Sequence, residues 1–310
     1  MTLTELRYIV ALARERHFGR AAEACFVSQP TLSVGIRKLE DELGVALFER
    51  GTGEATLTTV GERVVEQAQR VLEQAQDIRE IAKQGKDPLQ GPLRIGVIYT
   101  IAPYLLPGLV RLLHKRAPKM PLLLQENYTH RLRELLKQGE LDAAILALPF
   151  EDPGFAVQPL YDENFIVAVP RAHAWAGRTS IRSADLKKES MVLLGTGHCF
   201  RDQVLQYSPE LARVANATAG GGLQRTFEGS SLETIRQMVA SGVGITVLPA
   251  TSVPAKTPHD SLLAYVPFSA PVPDRRVVLV YRKSFPRTVA IDTLKQAVLD
   301  SPLHGATKLP

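Results

Sequence analysis

The chain changes its hydrophobic pattern near residue 90, and this change constrains the fold more than any other feature. Before that point apolar residues recur at helical spacing, whereas beyond it short apolar runs alternate with helical stretches. A segment rich in glycine and proline, residues 85–92, separates the two patterns. Because 310 residues exceed what one compact core usually organises, this segment is predicted to link two domains.

Residues 1–44 carry the signals of three consecutive helices. The Gly19-Arg20 pair is expected to end or bend the first helix, and a short second helix is expected over residues 21–26. Ser28 followed by Pro30 predicts the start of a third helix, because proline lacks only an N–H that would be unpaired there. This helix is expected to end at Gly44. Two short helices joined by a few residues form a helix-turn-helix.

A hairpin and a long helix are predicted to follow. Residues 45–48 and 56–59 are expected to pair around a tip at 51–53, which would add a wing and complete a domain over residues 1–60. The next helix, within a linker over residues 61–90, carries an apolar stripe of coiled-coil spacing, formed by Val64, Ala68, Val71, Ala75, Ile78 and Ala82. Packing of this helix on its own domain is the alternative. The narrow stripe favours a homodimer formed through this helix.

Charge and composition exclude several classes of protein. The net charge of +5 suggests a polyanionic partner, yet residues 1–90 hold 12 Lys and Arg against 14 Asp and Glu, which is a net −2. Nucleic-acid binding would therefore depend on where single charges lie. Two cysteines exclude a disulfide scaffold, and neither a signal peptide nor an uncharged run of about 20 residues is expected, so the predicted location is the cytoplasm without a membrane partner.

Residues 91–310 are predicted to form an α/β domain of two lobes with a ligand cleft between them. Strands are expected over 93–98, 121–126 and 141–147, with helices over 105–116 and 130–138. Regular alternation of this kind predicts a mostly parallel sheet. The seven histidines lie far apart and predict no metal site, and the loop at 195–197 lacks the further residues of a nucleotide-binding loop.

Several ordered motifs resemble the LysR-type transcriptional regulators. They are Phe18-Gly-Arg-Ala-Ala-Glu, Val27-Ser-Gln-Pro-Thr-Leu-Ser33, Ile36-Arg-Lys-Leu-Glu-Asp-Glu-Leu-Gly44, Leu47-Phe-Glu-Arg50, Leu57-Thr-Thr-Val-Gly61 and Gly242-Val-Gly-Ile-Thr-Val-Leu-Pro249. The resemblance covers the whole chain. It implies a winged helix-turn-helix, a dimerising linker helix and a two-lobed regulatory domain of the periplasmic-binding-protein kind. It also implies a homotetramer that binds promoter DNA, recruits RNA polymerase and activates genes.

The recognition helix of such a domain enters the major groove with its N-terminal residues against the base edges. Side chains that could read bases are predicted at Gln29, Thr31, Leu32 and Ser33, with Ser28 and Pro30 at the helix start. Ser28 is expected to act mainly as a cap. Predicted phosphate contacts, which would fix register rather than sequence, are Arg20, Arg37, Lys38 and Arg50.

Cys199 is the second informative residue, because an apolar strand runs through Gly195-Thr-Gly197 into a predicted helix start beside it. The positive end of the helix dipole, with His198 and Arg201 nearby, is expected to favour its thiolate near neutral pH. An accessible thiolate of this kind is typical of a redox sensor. Cys25, which lies among small apolar residues, is expected to be a buried packing residue.

The segment 197–203 is similar to that of the hydrogen peroxide-sensing members of the family, and implies that peroxide oxidises Cys199 to a sulfenic acid. The resemblance places a peroxide pocket at Thr100, Thr129, His198, Arg201, Asp202 and Gln203. Arg275 or Arg276 could help to order this pocket. Those relatives carry a resolving cysteine nine residues further on, where this chain has Ser208.

Two explanations of Ser208 stay open. It is either an engineered Cys-to-Ser change, which the otherwise matching surroundings favour, or a natural residue in a protein that signals by sulfenate or mixed disulfide. The predicted function is a non-enzymatic regulator of antioxidant genes that needs no cofactor and uses peroxide as its oxidant. The alternatives are a regulator that binds a small metabolite in the cleft, and a thiol peroxidase or Cys-His hydrolase fused to a DNA-binding module.

Overall fold

The computed structural model describes residues 1–49, 54–84, 87–207, 226–255 and 261–309. The chain divides into an N-terminal unit, Met1–Lys86, and a C-terminal unit, Asp87–Pro310. Each unit has its own hydrophobic core, and the C-terminal unit has two. The architecture predicted from the sequence, a helical N-terminal domain followed by a two-lobed α/β domain, is confirmed.

Four helices form the N-terminal unit: α1 over Leu3–Glu15, α2 over Phe18–Ala24, α3 over Gln29–Leu43 and α4 over Thr59–Gln84. Helix α1 begins with a capping box, in which the Thr2 side chain accepts from the Glu5 N–H and the Glu5 carboxylate accepts from the Thr2 N–H. The core between these helices is made of fully buried aliphatic side chains, including Ile9, Leu12, Leu32, Leu39 and Leu47.

The second helix begins earlier than the sequence predicted. Helix α1 ends at Glu15 because Arg16 takes a left-handed conformation, with φ +50°. The His17 imidazole then accepts from the N–H of Arg20 at 3.3 Å and caps α2, so Gly19 and Arg20 lie inside that helix. The predicted start at residue 21 is wrong because serine, threonine, aspartate and asparagine are the usual helix caps, and histidine is not among them. Phe26, expected in the helix, lies instead in the turn that follows it, with φ +57°.

Helix α3 has the start and end that the sequence predicted. The Ser28 hydroxyl accepts from the N–H of Thr31 at 3.3 Å, and Pro30 occupies the first turn. Gly44 ends the helix with φ +70°, a conformation that glycine adopts without a Cβ penalty. Local backbone chemistry is therefore sufficient to define this helix.

The wing is described only in part, because residues 50–53 lie outside the described residues. Phe48 and Leu57 form an antiparallel bridge, and the Glu49 N–H donates to the Thr56 carbonyl at 2.9 Å. A Cβ at Gly61 would lie 2.0 Å from the Leu47 carbonyl oxygen, so α4 leaves the wing in close backbone contact with it.

The apolar stripe of α4 has two different environments. Ala68 is 3% exposed and Val64 packs against the core of the N-terminal unit, which is the packing that the sequence argument disfavoured. Further along, Val71 and Ile78 are 37% and 68% exposed. The N-terminal part of the stripe therefore packs on its own domain, and only the later part presents apolar side chains to solvent.

A mixed sheet forms the frame of the C-terminal unit. Its strands are β1 over Leu93–Ile98, β2 over Leu122–Asn127, β3 over Ala143–Ala147, β4 over Phe155–Pro170, β9 over Asp274–Arg282 and β10 over Ala306–Lys308. Their order in the sheet is β10-β4-β9-β3-β1-β2. The helices that pack against it are α5 over Ala102–Arg116, α6 over Thr129–Lys137 and α9 over Thr288–Asp300. This layer contains the larger of the two cores.

The second lobe is built on the distal half of β4. Strands β7, Thr246–Pro249, and β8, Leu263–Pro267, both pair with β4. Strands β5, Met191–Leu194, and β6, Thr226–Gly229, form a separate parallel pair. The remaining elements are α7 over Cys199–Tyr207, α8 over Leu232–Ala240 and two short 3₁₀ helices at Ser183–Lys188 and Ala250–Ser252. Since β4 contributes Leu160 to one core and Val167 to the other, it joins the two lobes.

The prediction of a mostly parallel sheet is wrong. Strand β1 is parallel to β2 and β3, but β9 runs antiparallel to both β3 and β4. The hydrophobic period of a segment identifies a strand but does not reveal the direction in which that strand pairs. Among the described residues, no helix combines the length and the apolar character that a bilayer crossing requires.

Candidate functional site

The start of α3 presents polar side chains to solvent in the N-terminal unit. Gln29, Pro30 and Thr31 are exposed, and Ser33 is half-buried. The Ser28 and Thr31 hydroxyls lie 2.8 Å apart, so Ser28 is engaged as the cap that the sequence predicted. This surface has the polar composition that readout of base edges requires.

Leu32, predicted to read bases, has no exposed surface and belongs to the core of the N-terminal unit. It lies on the opposite face of α3 from the polar residues, one turn before the buried Ile36. A side chain without exposed surface contacts no base, so Leu32 is a packing residue. The sequence signal for this burial is the helical spacing that places Leu32, Ile36, Leu39 and Leu43 on one apolar face.

Phe26 is a surface residue that sequence reasoning missed. Its side chain is 96% exposed, and its left-handed backbone, φ +57°, is one that bulky residues rarely adopt. It lies two residues before Ser28, at the entrance to α3. An exposed apolar ring at this position could contact thymine methyl groups or deoxyribose.

The side chains predicted to contact phosphates differ in the hydrogen bonds and ion pairs that they make within the protein. Arg20 is exposed and its guanidinium donates to the Glu15 carbonyl at 2.8 Å. Lys38 lies 3.0 Å from Glu5, an ion pair that lowers the pKa of Glu5. Arg37 is exposed, and Arg50 lies outside the described residues. The side chains of Arg20, Arg37 and Lys38 therefore lie on the surface of the N-terminal unit.

Cys199 is the first residue of α7 and is half-buried against the core of the larger layer. It borders a cavity of about 10 Å³, counted as the space open to the centre of a water-sized molecule. The lining residues are Ile98, Tyr99, Thr100, Asn127, Tyr128, Thr129, Gly197, His198 and Cys199. Because β1 and β2 are parallel neighbours, the residues that follow them meet at one edge of the sheet, opposite the start of α7.

Thr100 is fixed by a buried ion pair. The Arg275 side chain donates to the Thr100 hydroxyl at 2.8 Å and to its carbonyl at 3.2 Å, and its Nε donates to Glu163 at 2.7 Å. The side chains of Arg275 and Glu163 have no exposed surface. Glu163 also accepts from the Thr251 hydroxyl at 2.6 Å. With its hydroxyl oxygen accepting from Arg275, Thr100 can direct its own O–H toward the cavity.

Thr129 brings an unsatisfied hydroxyl to the same cavity. It is the first residue of α6, and its Oγ1 is buried without a hydrogen-bond partner among the described residues. A buried hydroxyl left unpaired is unfavourable, so this oxygen is available to hydrogen-bond a water or another small molecule in the cavity.

His198, next to Cys199, is buried among aromatic rings. The ring centroids of Tyr128 and Tyr99 lie 4.9 Å and 5.8 Å from that of His198, both edge-on. Burial lowers the pKa of His198 below its ordinary 6.5, and a hydrogen bond with the Ser230 backbone opposes this shift. His198 is therefore neutral at neutral pH.

The other predicted pocket residues do not line the cavity. Arg201 is buried and donates to the Leu194 carbonyl at 2.7 Å, and Gln203 donates to the Leu148 carbonyl at 2.7 Å. Asp202 is exposed on the outer face of α7. One turn of a helix points successive side chains in different directions, so neighbours of Cys199 in sequence are not its neighbours in the cavity.

Of the two arginines considered, Arg275 supports the cavity through Thr100, whereas Arg276 is half exposed and pairs with Asp162 at 2.8 Å. Ser208 lies outside the described residues. Cys25, in the N-terminal unit, is half-buried, and burial raises the pKa of its thiol. Within the described residues no group of three or more His, Cys, Asp or Glu could hold a metal ion.

Tyr99, Asn127 and Tyr128 line the cavity but were not singled out from the sequence. Tyr99 and Tyr128 directly precede the predicted site residues Thr100 and Thr129, and Asn127 is the last residue of β2; this adjacency was the available signal. Gly197 is also required, since its φ is +97° and a Cβ there would lie 3.3 Å from the Tyr128 ring.

Both units match known protein families. Residues 3–62 match the family "Bacterial regulatory helix-turn-helix protein, lysR family", and residues 86–302 match "LysR substrate binding domain". The chain is 43% identical over 298 residues to the "DNA-binding transcriptional dual regulator OxyR" of Escherichia coli K12, covering 96% of this chain and 95% of that protein. It is 40% identical over 301 residues to the "Hydrogen peroxide-inducible genes activator" of Haemophilus influenzae, covering 97% of each.

Solved structures of OxyR proteins are also similar to almost the whole chain. A full-length OxyR from Pseudomonas aeruginosa, with a cysteine replaced by aspartate, is 53% identical with a TM-score of 0.77, covering 98% of this chain and 99% of that one. A hydrogen peroxide-bound Cys-to-Ser mutant of OxyR from Corynebacterium glutamicum is 34% identical with a TM-score of 0.63, covering 96% and 91%.

Replacing Glu163 by Gln is expected to lower the free energy of unfolding of the C-terminal unit by about 3–5 kcal/mol, because it leaves the Arg275 charge buried without its partner. Asp162→Asn breaks the neighbouring exposed pair on the same two strands and should cost about 1 kcal/mol or less. Urea unfolding of both variants checks this. Equal losses in the two variants would contradict it.

His198 is expected to make the protein less stable in acid. Its pKa is lower in the folded protein than the ordinary 6.5, so its contribution is fully present above pH 6.5 and decreases as the pH falls and the unfolded chain takes up the proton. Urea unfolding at about pH 7.5 and about pH 5.5 measures this slope. His198→Gln should reduce the slope, and His114→Gln, which removes an exposed imidazole, should retain it. An unchanged slope in His198→Gln would refute the assignment.

Proposed function

Because the chain belongs to the LysR family of bacterial helix-turn-helix regulators, we propose that this DNA-binding transcriptional regulator senses hydrogen peroxide through Cys199. Relatives that match almost the whole chain are named hydrogen peroxide-inducible genes activators, and this supports the proposal. The proposed output is the control of antioxidant genes. Because the partner is promoter DNA, the proposed place of action is the cytoplasm.

The observation that carries the proposal is the cavity beside Cys199. A half-buried thiol, the unpaired Thr129 hydroxyl and the Thr100 hydroxyl border a space of about 10 Å³. Two hydroxyls can each hydrogen-bond one oxygen of a small oxidant. Metabolite pockets usually measure hundreds of Å³, so the cavity beside Cys199 suits a small oxidant rather than a metabolite.

The proposed first step is nucleophilic attack by the Cys199 thiolate on one oxygen of hydrogen peroxide. An S–O bond forms as the O–O bond breaks, sulfur is oxidised to a sulfenic acid, and the other oxygen leaves as hydroxide and is protonated to water. The Thr100 and Thr129 hydroxyls would each hydrogen-bond one oxygen of the peroxide, and the one that faces the leaving oxygen would stabilise its growing charge. Because His198 is neutral, it adds no positive charge beside the sulfur, and its ring forms part of the cavity lining.

The second step depends on residue 208. The chain holds two cysteines, and Cys25 belongs to the N-terminal unit. With serine at 208, the oxidised state would be the sulfenic acid itself or a mixed disulfide, formed when a small thiol condenses with it and water leaves. Each chain would then be oxidised once per signal, as in a sensor rather than a peroxidase, and no cofactor takes part.

DNA binding is proposed to use the exposed start of α3. Gln29, Thr31 and Ser33 would contact bases, while Arg20, Arg37, Lys38 and Arg50 would contact phosphates. We also propose a homodimer formed through the exposed later part of the α4 stripe, with Val71 and Ile78, and a homotetramer that contacts RNA polymerase. The proposed domains are a winged helix-turn-helix over 1–60, a linker over 61–90 and a sensor domain over 91–310.

Cys199→Ser is expected to abolish sulfenic acid formation by peroxide while leaving DNA binding of the reduced protein measurable. The control, Cys25→Ser, should still be oxidised. Labelling with a sulfenate-specific reagent, followed by mass spectrometry, locates the modified residue. Persistent labelling of Cys199→Ser would contradict the assignment of the sensor.

Adding a thiol tests the role of residue 208 in the same assay. If Ser208→Cys alone forms an intramolecular disulfide with Cys199 and then changes its DNA footprint, the switch needs that second cysteine. If the protein with Ser208 changes its footprint after oxidation, sulfenate or mixed-disulfide signalling is sufficient.

Gln29→Ala is expected to reduce discrimination at one base position by about 1–3 kcal/mol, because it removes a bidentate donor and acceptor. Arg20→Ala should weaken binding to all sequences alike and lower the salt slope by about 1. Arg70→Ala, which removes an exposed arginine of α4, is the matched control. Fluorescence anisotropy with operator variants measures all three, and a selective loss in Arg20→Ala would be inconsistent with a phosphate contact.

A further inference from the structure

We infer that Tyr99 and Tyr128 determine the oxidant specificity of Cys199, by excluding organic hydroperoxides from the cavity while admitting hydrogen peroxide. The inference rests on the proposed function and goes beyond it, because it assigns the choice among oxidants to two side chains. Both rings line the cavity, and both residues directly precede the threonines that would bind the oxidant.

The two rings form a packed aromatic wall with His198. Tyr99 and Tyr128 meet edge-to-face with centroids 5.2 Å apart, and each contacts the His198 ring. Edge-to-face pairs at such distances are favourable packing arrangements of aromatic rings. The wall is therefore held by mutual contacts rather than by a single residue.

Tyr128 is braced from several sides. The His130 ring stacks on it at 5.7 Å with an interplanar angle of 10°, while His198 contacts it edge-on. The Gly197 backbone approaches so closely that a Cβ there would lie 3.3 Å from two ring atoms. A ring confined by two imidazoles and a glycine backbone has little freedom to move aside for a larger oxidant.

The reaction of the thiolate with an organic hydroperoxide explains why this aromatic wall would select between oxidants. In an organic hydroperoxide, R–O–O–H, the thiolate attacks the terminal oxygen, the O–O bond breaks, sulfur becomes a sulfenic acid and RO⁻ leaves to take up a proton. The R group must then fit beside the leaving oxygen. A cavity of about 10 Å³ has room for about one molecule of water size, so we place the aryl-alkyl group of a larger oxidant in conflict with the tyrosine rings that line it.

The polar side of the cavity would not make this distinction. Thr100 and Thr129 offer hydroxyls that can hydrogen-bond the two oxygens of any hydroperoxide, whatever group is attached. Discrimination must therefore come from the space around the oxygens. Apart from the two threonines and Cys199, the side chains that line this space are Ile98, Tyr99, Asn127, Tyr128 and His198, three of which are aromatic.

The experiment measures the second-order rate constants for oxidation of Cys199 by hydrogen peroxide and by cumene hydroperoxide. The variants are Tyr128→Ala and Tyr99→Ala, with Tyr128→Phe, which keeps the ring, and Tyr207→Ala, which removes a tyrosine outside the cavity, as controls. Circular dichroism and DNA binding of the reduced proteins show that each variant is folded, and the two alanine variants test the wall independently.

We expect wild type, Tyr128→Phe and Tyr207→Ala to prefer hydrogen peroxide. At least one alanine variant should react with cumene hydroperoxide about tenfold faster than wild type or more, with a smaller change toward hydrogen peroxide. The inference is overturned if folded alanine variants gain no rate with cumene hydroperoxide. It is also overturned if Tyr128→Phe gains as much as Tyr128→Ala, or if wild type oxidises equally fast with both.

These outcomes are separable from failure of the proposed function. If hydrogen peroxide leaves Cys199 of the wild type unmodified, the sensor assignment itself is wrong and the specificity inference falls with it. If hydrogen peroxide oxidises the wild type but the alanine variants gain nothing, only the specificity inference is lost.

Discussion

The buried ion pair between Arg275 and Glu163 is the interaction on which the rest of the C-terminal unit depends. The two residues face each other on β9 and β4, and neither side chain is exposed. Burying two charges is costly unless their hydrogen bonds are satisfied, and here they are. Arg275 donates to Thr100 at the cavity and Glu163 accepts from Thr251, so one pair fixes a site hydroxyl and a turn of the second lobe.

The same arginine also reaches the element that carries the thiol. Its guanidinium lies over the Phe200 ring at 4.9 Å from the ring centroid, and Phe200 directly follows Cys199 at the start of α7. Cation–π contacts of this kind contribute most when they are desolvated. The turn that follows β1, which contains Thr100, and the helix that begins at Cys199 are therefore positioned by a common group. A cavity of water size needs such accuracy, because small displacements would close it or open it to larger molecules.

Charge in the N-terminal unit acts through placement rather than quantity. Residues 1–90 carry a net −2 although the whole chain carries +5, so a general basic surface does not explain DNA binding. Some basic groups are themselves engaged, as Lys38 is with Glu5. Under the proposed function, side chains at the start of α3, repeated in each subunit of the proposed assembly, supply the affinity. Symmetric repetition multiplies a few contacts without requiring a strongly basic domain.

Sequence-based prediction succeeded where the cause is local. The start and end of α3 follow from a serine cap, a first-turn proline and a terminal glycine, all within the same segment of backbone. The position of Cys199 at a helix start follows from an apolar strand and a glycine loop just before it. It failed for α2, because a histidine cap is a rarer signal. Thr100, Thr129 and His198 were named through family resemblance rather than through any local pattern.

What the sequence by itself determined was the kind and order of the elements, since capping, glycine conformation and hydrophobic period act between residues a few positions apart. The tertiary structure alone decided which side chains meet. It turned Asp202 away from the cavity, made the sheet mixed, and brought Tyr99 and Tyr128 around Cys199 from the ends of separate strands. Those outcomes depend on packing between segments far apart in the chain, as in the pairing of Ala143 with Tyr281, and no local pattern carries that information.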